Sequence, residues 1–266
     1  MKAVLKYPGA KNRIAPWIVE NMPIHNVYLE PFYGSGAVLN HKPRCHIETV
    51  NDLNGDVVNF HKVLRDSPED FIRVIELTPW SRDEYNKSFE DCTDAIEKAR
   101  RYAVRCWQGF GGSNAHRNGF KSGQQTKSPD PAKGWSKLPE TLWIATERLK
   151  GVQIENLPAK ELIERYDTPD VFIYLDPPYL QGTRKGYLYK HEMNNNEHEE
   201  LLEQIIAHPG MIMISGHDSD TYNDKLVGWR KLIKVTQVEQ GLKRTEVIWM
   251  NYLEGQRNIF DFMKGD

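Results

Sequence analysis

The sequence predicts an α/β fold in which one doubly wound, mostly parallel sheet carries helices on both faces. Three observations support this prediction. Short apolar runs of strand length alternate with stretches of helical spacing, the alternation occurs on both sides of a middle part, and the middle part differs from the rest in charge. Alternating strands and helices are typical of a parallel sheet. The 266 residues are enough to bury a large core, so the fold needs no disulfides to stabilise it.

The first part of the chain, residues 1–66, predicts two strands and two helices. Its strands are short apolar runs, of which residues 27–29 are the clearest, and polar or glycine residues follow each run. Apolar side chains at helical spacing, such as Val57, Phe60 and Leu64, mark the second helix. In chain order we predict a glycine-containing loop at 7–11, a helix at 12–21, strands at 27–29 and 47–50, and a helix at 56–64.

The middle part, residues 67–150, is strongly basic. Between Lys98 and Lys150 there are eleven basic and three acidic residues, a net charge of +8, whereas the whole chain carries −2. A helix is predicted at 95–109, and a run of glycines and polar turn formers follows at 111–119. A basic stretch with interleaved aromatic rings is compatible with a nucleic-acid contact. The aromatic residues are Trp107, Phe110, Phe120 and Trp135.

The last part, residues 151–266, again alternates strands and helices and closes with a pair of strands. Together with the first part this gives seven strands. We therefore predict that residues 1–66 and 151–266 form one domain, with residues 67–150 inserted as a mainly helical region. The predicted strands are 152–154, 171–175, 211–215, 229–235 and 245–251, and the predicted helices are 159–166, 197–207 and 219–227.

Composition excludes several classes of protein. A net charge of −2 and a pI of about 6.5 exclude a wholly basic, histone-like protein, although a local basic face is compatible with DNA binding. Cys45, Cys92 and Cys106 show no C-x-x-C spacing and the histidines show no metal-ligand spacing, so we expect neither a disulfide framework nor a metal site. There is no secretory signal and no apolar run near the roughly 20 residues of a membrane span, so we expect a cytoplasmic protein.

A glycine-containing turn follows the first predicted strand. Residues 30–36 read Glu-Pro-Phe-Tyr-Gly-Ser-Gly, and Asp52 ends the next strand 16 residues after Gly36. In a doubly wound sheet this places a carboxylate beside the turn, where it can accept the two hydroxyls of a ribose. A plain strand–helix turn with a helix-capping Asp is the alternative. A dinucleotide dehydrogenase is disfavoured, because Leu39 stands where its third glycine belongs.

Asp176-Pro177-Pro178-Tyr179 directly follows the predicted strand at 171–175. The prolines end the strand and stiffen the loop, since each fixes φ and removes an N–H donor. The Asp176 carboxylate and the Pro177 carbonyl then form two fixed acceptors, which suit the two hydrogens of one amino group. The ring of Tyr179 suits stacking on a heterocycle. We therefore predict a site for the exocyclic amine of a base, in preference to a rigid turn without a ligand.

With four motifs in this order, the chain resembles the Dam-type family of DNA adenine N6-methyltransferases. The family's aromatic-x-Gly-x-Lys loop is matched by residues 7–11, its Glu-Pro-Phe-x-Gly-x-Gly by 30–36, its Asp-x-Asn by 52–54 and its Asp-Pro-Pro-Tyr by 176–179. The order is that of the α group, in which a target-recognition region lies between the cofactor and catalytic motifs, and the basic insertion occupies that place. The resemblance covers nearly the whole chain and implies a seven-stranded S-adenosylmethionine-dependent methyltransferase sheet.

The resemblance also implies roles for individual residues. Asp176, Pro177, Pro178 and Tyr179 would form the catalytic motif, and no metal ion is implied. The residues implied at S-adenosylmethionine are Tyr7, Lys11, Phe32, Gly34, Gly36, Asp52, Asn156 and Asp176. The candidates for contact with DNA, in the insertion and in the loop after Tyr179, are Asn114, Arg117, Lys121, Arg184 and Lys185.

The expected activity is transfer of a methyl group from S-adenosylmethionine to the exocyclic amine of a flipped-out adenine in double-stranded DNA. Cytosine-N4 methylation of DNA, methylation of RNA and a non-catalytic DNA-binding role are the alternatives. A cytosine-C5 enzyme is disfavoured, because neither Cys45 nor Cys106 has the Pro-Cys-Gln setting of its nucleophile. The insertion does not closely match the family's GATC-reading hairpin, so the target sequence stays open. The expected partners are double-stranded DNA and a cognate restriction endonuclease, with a monomer and no membrane contact as the default.

Overall fold

A computed structural model describes residues 3–110, 117–123, 129–183, 188–237 and 243–253. Its centre is one seven-stranded sheet with the order β3-β2-β1-β4-β5-β7-β6. The first five strands in this order are parallel, and β7 runs antiparallel between β5 and β6. This confirms the predicted seven-stranded, mostly parallel sheet. The strands are β1 (Val27–Glu30), β2 (Ile47–Asn51), β3 (Val152–Glu155), β4 (Val171–Leu175), β5 (Met211–Gly216), β6 (Arg230–Gln237) and β7 (Lys243–Met250).

The helices that the structure describes flank this sheet and fill the insertion. Several begin at a side-chain cap of the usual kind, in which an Asn, Asp or Ser accepts a hydrogen bond from a backbone N–H of the first turn. The caps are Asn54, Ser81, Asp94, Asp130, Asn194 and Ser219. The helices are α1 (Ala15–Glu20), α2 (Ala37–His41), α3 (Gly55–Asp66), α4 (Pro68–Leu77), α5 (Arg82–Lys87), α6 (Ala95–Gln108), α7 (Pro131–Trp135), α8 (Leu138–Leu149), α9 (Ala159–Arg165), α10 (Asn195–Ala207) and α11 (Asp220–Lys225).

Two predicted helices are longer than the observed helices by more than one residue. The predicted helix at 12–21 begins only at Ala15, because residues before it form a turn in which the N–H groups of Ile14 and Ala15 donate to the Lys11 carbonyl. The predicted helix at 219–227 ends at Lys225, shortly before Gly228, which has a φ of +86°. After the second helix, Leu226 and Val227 continue the apolar pattern, so spacing alone does not show where that helix stops.

The two faces of the sheet carry separate hydrophobic clusters. Side chains of successive strand residues point to opposite faces, and in β4 Phe172 and Tyr174 join one cluster whereas Ile173 and Leu175 join the other. The first cluster also contains Phe60 of α3 and buried residues of the insertion helices α4, α6 and α8. The insertion helices α4, α6 and α8 therefore share a core with one face of the sheet, and each of them contacts α3. The division at residues 66 and 151, and the recognition role of the insertion, stay predictions.

The topology places one crevice at the centre of the sheet. From β1 the chain builds outward through β2 to β3 and then returns to β4, so β1 and β4 are neighbours whose connections leave in opposite directions. Ligands of open α/β sheets bind at such a point, outside the carboxyl ends of the strands. Within the described ranges, no helix combines the length and the apolar character that crossing a membrane requires.

Candidate active site

A cleft opens at the carboxyl ends of β1 and β4. It contains about 840 Å³ of space that protein atoms do not fill, part of it open to solvent. The cleft is lined by residues of the glycine-containing turn at 30–36, of the Asp-Pro-Pro-Tyr motif at 176–179 and of the N-terminal loop at 7–11. The fold therefore brings distant parts of the chain together. Among the residues predicted from the sequence, those in its wall are Tyr7, Lys11, Phe32, Gly34, Asp52, Asp176 and Pro178.

The turn after β1 depends on its glycines. Gly34 and Gly36 have φ values of +50° and +70°, a conformation that residues with a Cβ rarely adopt. A Cβ at Gly34 would lie 3.2 Å from the ring of Tyr7, so the absence of a side chain also lets Tyr7 pack against the turn. Gly36 precedes α2 and lies against the Tyr33 hydroxyl. The glycines thus shape the wall of the cleft and seat the N-terminal loop on it.

Asp52 is held from both sides by backbone N–H groups. Its Oδ2 accepts from Gly34 and its Oδ1 from Asn54, each at 2.8 Å. Burial raises the pKa of Asp52 to about 6, although these two donors favour the ionised form. Each carboxylate oxygen can accept more than one hydrogen bond. The geometry therefore leaves acceptor capacity for two hydroxyls of a ribose.

Asn156 lies outside the wall of the cleft. Its side-chain amide donates to the carbonyl oxygens of Asp52 at 2.7 Å and Leu53 at 3.3 Å. The side chain is exposed and fixes the backbone that follows β2. Its predicted contact with the adenine of the cofactor stays a prediction.

Asp176 directly follows β4 and is partly buried. Its Oδ1 accepts from the Ser215 hydroxyl at 2.8 Å and pairs with the Lys11 ammonium at 2.9 Å. Burial raises the pKa of Asp176, and the Lys11 charge and the Ser215 hydroxyl oppose this shift. Lys11 also donates to the Gly9 carbonyl at 2.9 Å. The lysine predicted to contact the cofactor therefore links the N-terminal loop to the carboxylate predicted to be catalytic.

Among the described residues, three neighbours contact Tyr179 beside Asp176. Its hydroxyl donates to Glu246 Oε2 at 2.8 Å, and the His217 ring meets it edge-on with centroids 4.5 Å apart. The Lys11 ammonium lies 4.7 Å from the centre of its ring. Sequence reasoning missed Ser215, His217 and Glu246. Only strand pairing brings them here, since β5 lies beside β4 and β7 beside β5.

The family of this chain follows from its similarity to known proteins. Residues 7–244 match the family described as D12 class N6 adenine-specific DNA methyltransferase. The chain belongs to this family. It is therefore an adenine-specific DNA methyltransferase, and the cytosine-N4, RNA and non-catalytic alternatives are not supported. Membership in a methyltransferase family implies the use of S-adenosylmethionine, and the family's name makes DNA the substrate.

Relatives from several organisms agree with this assignment. The chain is 31% identical to the DNA adenine methylase of Serratia marcescens over 84% of this chain and 86% of the relative. It is 26% identical to the Type II methyltransferase M.MjaIII of Methanocaldococcus jannaschii, over 76% and 78% of the two chains. It is 23% identical to the Type II methyltransferase M1.LlaDCHI of Lactococcus lactis subsp. cremoris, over 95% and 96%. These matches confirm the resemblance that the four motifs show.

A segment of the methyltransferase that the sequence did not single out forms another wall of the cleft. Tyr189 lies with its ring 6.0 Å from that of Tyr7, and a Cβ on Gly9 would overlap its hydroxyl. The Glu192 carboxylate holds this segment by accepting from the N–H groups of Leu188 and Tyr189 at 2.7 and 3.0 Å. The wall residues from this part of the chain are Tyr189, His191, Glu192, Met193 and Glu197.

Glu30 is a second acidic residue of the wall that sequence reasoning did not place in the site. It is 2% exposed, and the Tyr28 hydroxyl donates to its carboxylate at 2.9 Å. Burial raises the pKa of Glu30 to about 8, and the charge of Asp176 contributes to the rise. Its surroundings therefore favour the neutral, protonated form of this side chain.

The predicted DNA-contacting residues are only partly described. Asn114, Arg184 and Lys185 lie outside the described residues. Arg117 donates to the Asn86 side chain at 2.8 Å and lies over the ring of Phe89. Lys121 is fixed through its backbone, which bonds Gln108 at 2.7 Å and accepts from the Trp80 indole at 3.0 Å. Both lie in the basic insertion, and their contact with DNA stays a prediction.

Proposed function

We propose that this methyltransferase binds S-adenosylmethionine in the cleft at β1 and β4 and methylates N6 of an adenine flipped out of double-stranded DNA. The observation that carries the proposal is the position of Asp176. Its carboxylate lies in the wall of the cleft, at the point where the catalytic motif meets the cofactor loop. A group there can contact the target amine while the methyl donor occupies the neighbouring space.

The residues of the cleft fit this cofactor. Asp52 offers acceptors for the ribose hydroxyls, and the turn at Gly34 lets the backbone approach a ligand closely. The carboxylates of the wall suit the positive sulfur and ammonium groups of S-adenosylmethionine, and the rings of Tyr7 and Phe32 supply apolar surface. When bound, the cofactor supplies a methyl group on a positively charged sulfur. We propose Tyr7, Lys11, Phe32, Gly34, Gly36, Asp52, Asn156 and Asp176 as its contacts.

Asp176 and the Pro177 carbonyl would accept the two hydrogens of the target amine. The lone pair of this amine is delocalised into the ring, and hydrogen bonds to both hydrogens favour its release for attack. Oδ1 of Asp176 is occupied by Ser215 and Lys11, whereas Oδ2 makes no hydrogen bond with the described residues. Oδ2 is therefore the oxygen for the amine. A hydrogen bond to a carboxylate contributes about 1.5–3 kcal/mol, more in a site without water.

Tyr179 and the insertion would contact the DNA. Flipping a base costs a few kcal/mol, and stacking on the Tyr179 ring would return about 1–3 kcal/mol. Basic side chains would contact the phosphates and make binding weaker at high salt. The candidates are Asn114, Arg117, Lys121, Arg184 and Lys185.

The proposal extends to the setting of the enzyme. We propose a monomer that works in the cytoplasm on double-stranded DNA. Two relatives carry the name Type II methyltransferase, which favours a cognate restriction endonuclease that cuts the sequence methylated by this enzyme. A plasmid methylated by the enzyme would then resist that endonuclease.

Expression in a host without adenine methylation tests the proposed function. Sequencing plasmid DNA with modified-base detection should show N6-methyladenine at one short motif, which also gives the recognition sequence. Asp176→Ala should abolish this signal while the protein still folds, with a lower melting temperature because the buried Lys11 loses its ion pair. Asp170→Ala is the matched control, because Asp170 is exposed and precedes β4 whereas Asp176 follows it. Plasmid methylation by Asp176→Ala at a near-normal level would refute the role of Asp176.

A further inference from the structure

The hydroxyl of Tyr179 bonds to a residue that belongs to none of the sequence motifs. Glu246 lies in β7, 67 residues after Tyr179, and accepts this hydrogen bond at 2.8 Å. The next residue, Val247, pairs with Gly216 of β5, so Glu246 stands at the end of the antiparallel ladder nearest the catalytic motif. Its side chain is 7% exposed. A carboxylate this far from water needs such a partner, because an unpaired buried charge is costly.

The contacts around Tyr179 fix the orientation of its ring. The hydroxyl is tied to Glu246 at one end, and the His217 ring packs edge-on at 69°. Two such contacts at different parts of a ring leave it little freedom to rotate. A ring that is already oriented stacks on an incoming base without losing further entropy.

We propose that Glu246 is a positioning residue for methyl transfer, which holds the Tyr179 ring in the orientation that receives the flipped adenine. This inference rests on the proposed function, in which Tyr179 stacks on that base. Glu246 would not touch the reacting atoms. It would act through the phenol hydroxyl, so its effect should vanish when that hydroxyl is absent.

The charge of Glu246 also affects the pKa of Asp176. Burial raises the pKa of Asp176, the Lys11 charge and the Ser215 hydroxyl lower it, and the negative charge of Glu246 raises it. Removing this charge should let Asp176 ionise at lower pH. The titratable and charged groups that interact with Asp176 from the surrounding elements are Lys11, Glu30, Tyr174, Tyr179, Tyr222 and Glu246.

The test compares Glu246→Gln, Tyr179→Phe and the double variant. The recognition sequence found by plasmid sequencing supplies a DNA duplex, and 2-aminopurine at the target position reports unstacking of the base by fluorescence. We expect each single variant to lower kcat about tenfold, as loss of one hydrogen bond to a carboxylate can do, with the KM for S-adenosylmethionine unchanged. The double variant should be no slower than the slower single variant. Each variant should also change the fluorescence of the bound duplex.

The pH profile separates positioning from general destabilisation. Glu246→Gln should move the acid limb of kcat/KM to lower pH, whereas Tyr179→Phe, which keeps the carboxylate, should not. Tyr252→Phe and Glu203→Gln are matched controls. Tyr252 donates its hydroxyl to the Asn21 carbonyl, Glu203 pairs with Lys225, and neither lines the cleft. Both controls should keep the wild-type kcat and pH profile.

The outcomes distinguish this inference from the proposed function. If the wild type makes no N6-methyladenine, both fail. If the wild type is active and Glu246→Gln has the same kcat and the same acid limb, only the positioning role fails. Additive losses in the double variant would also overturn it, because Glu246 would then act independently of the Tyr179 hydroxyl. If Glu246→Gln does not fold, Tyr179→Phe removes the same hydrogen bond by deleting its donor. An unchanged kcat and unchanged fluorescence in Tyr179→Phe would then overturn the positioning role.

Discussion

Asp52 combines burial, which favours its neutral form, with a proposed role that needs the carboxylate. Its pKa is raised to about 6 by burial. Since the ionised form is the one that we propose to accept the ribose hydroxyls, we expect the affinity for S-adenosylmethionine to fall below about pH 6, approaching tenfold per pH unit. Calorimetry across this range measures the effect. Asp52→Asn should bind weakly with little pH dependence, and a wild-type affinity that stays constant from neutral to acid pH would contradict the role.

Only some side chains of the site can be predicted from the sequence alone. Asp52 and Asp176 are predictable because each lies in a short motif whose glycines or prolines already specify the local backbone. Ser215, Glu246 and Glu30 carry no such signal, since a lone Ser or Glu in a strand is equally compatible with surface or core. Their importance arises from the neighbours that the sheet gives them.

At the scale of elements, the sequence predicts the parallel strands well. The strand at 171–175 has the predicted bounds, and β1, β2, β3 and β5 each extend one residue further than predicted. Buried parallel strands are continuous apolar runs between turn residues, so their pattern is clear. The short helices α2, α5 and α7 have too few turns to establish a periodicity. The register of β5 with β7 is also invisible in the sequence, although it places Glu246 beside Tyr179.

Gly9 of the N-terminal loop packs against Tyr189 of the segment at 188–193. Gly9 has a φ of +69° and leaves room for the Tyr189 hydroxyl. Gly9→Ala should weaken binding of S-adenosylmethionine, because a side chain costs about 1–2 kcal/mol at this φ and also displaces Tyr189. Gly9→Ala combined with Tyr189→Phe should recover part of the affinity, since the overlap is removed but the backbone strain stays.

Calorimetry on the two variants, with Tyr189→Phe alone as the control, separates these contributions. No recovery in the double variant would show that the Tyr189 hydroxyl does not matter. Wild-type affinity in Gly9→Ala would show that the loop does not need glycine there.

Across the whole molecule, a buried ionic cluster ties the insertion to the sheet. Arg148 of α8 donates two hydrogen bonds to Glu48 of β2 at 2.6 and 2.7 Å, and Lys42 bonds the same carboxylate at 2.7 Å. Glu48 is 3% exposed. Counting charges predicts a basic insertion. It cannot show that the charge of one of its arginines, Arg148, is paired with a buried glutamate. The net charge available for the proposed contact with DNA is therefore smaller than the sequence suggests.

Buried histidines make the whole fold sensitive to acid. His61 is 1% exposed, neither ring nitrogen has a hydrogen-bond partner among the described residues, and burial lowers its pKa to about 3. Burial, together with the Lys42 charge, lowers the pKa of His25 to about 4. Both folded values lie below the unfolded value of about 6.5, so the unfolded chain binds more protons over the interval between them. The contribution of each neutral histidine to stability is therefore fully present above about pH 6.5. It is lost as the pH falls towards 4 for His25 and towards 3 for His61.

The free energy of unfolding should fall by about 1.4 kcal/mol per pH unit for each such histidine. Urea unfolding at neutral pH and near pH 5 measures the total, to which carboxylates also contribute. His61→Phe isolates one share, because Phe fills the space between Tyr33 and Phe60 but takes up no proton. This variant should lose less stability on acidification than the wild type, by about one histidine's share. His46→Gln, at an exposed position, is the control and should follow the wild type. An unchanged acid dependence in His61→Phe would mean that His61 is already protonated or hydrated in the folded state.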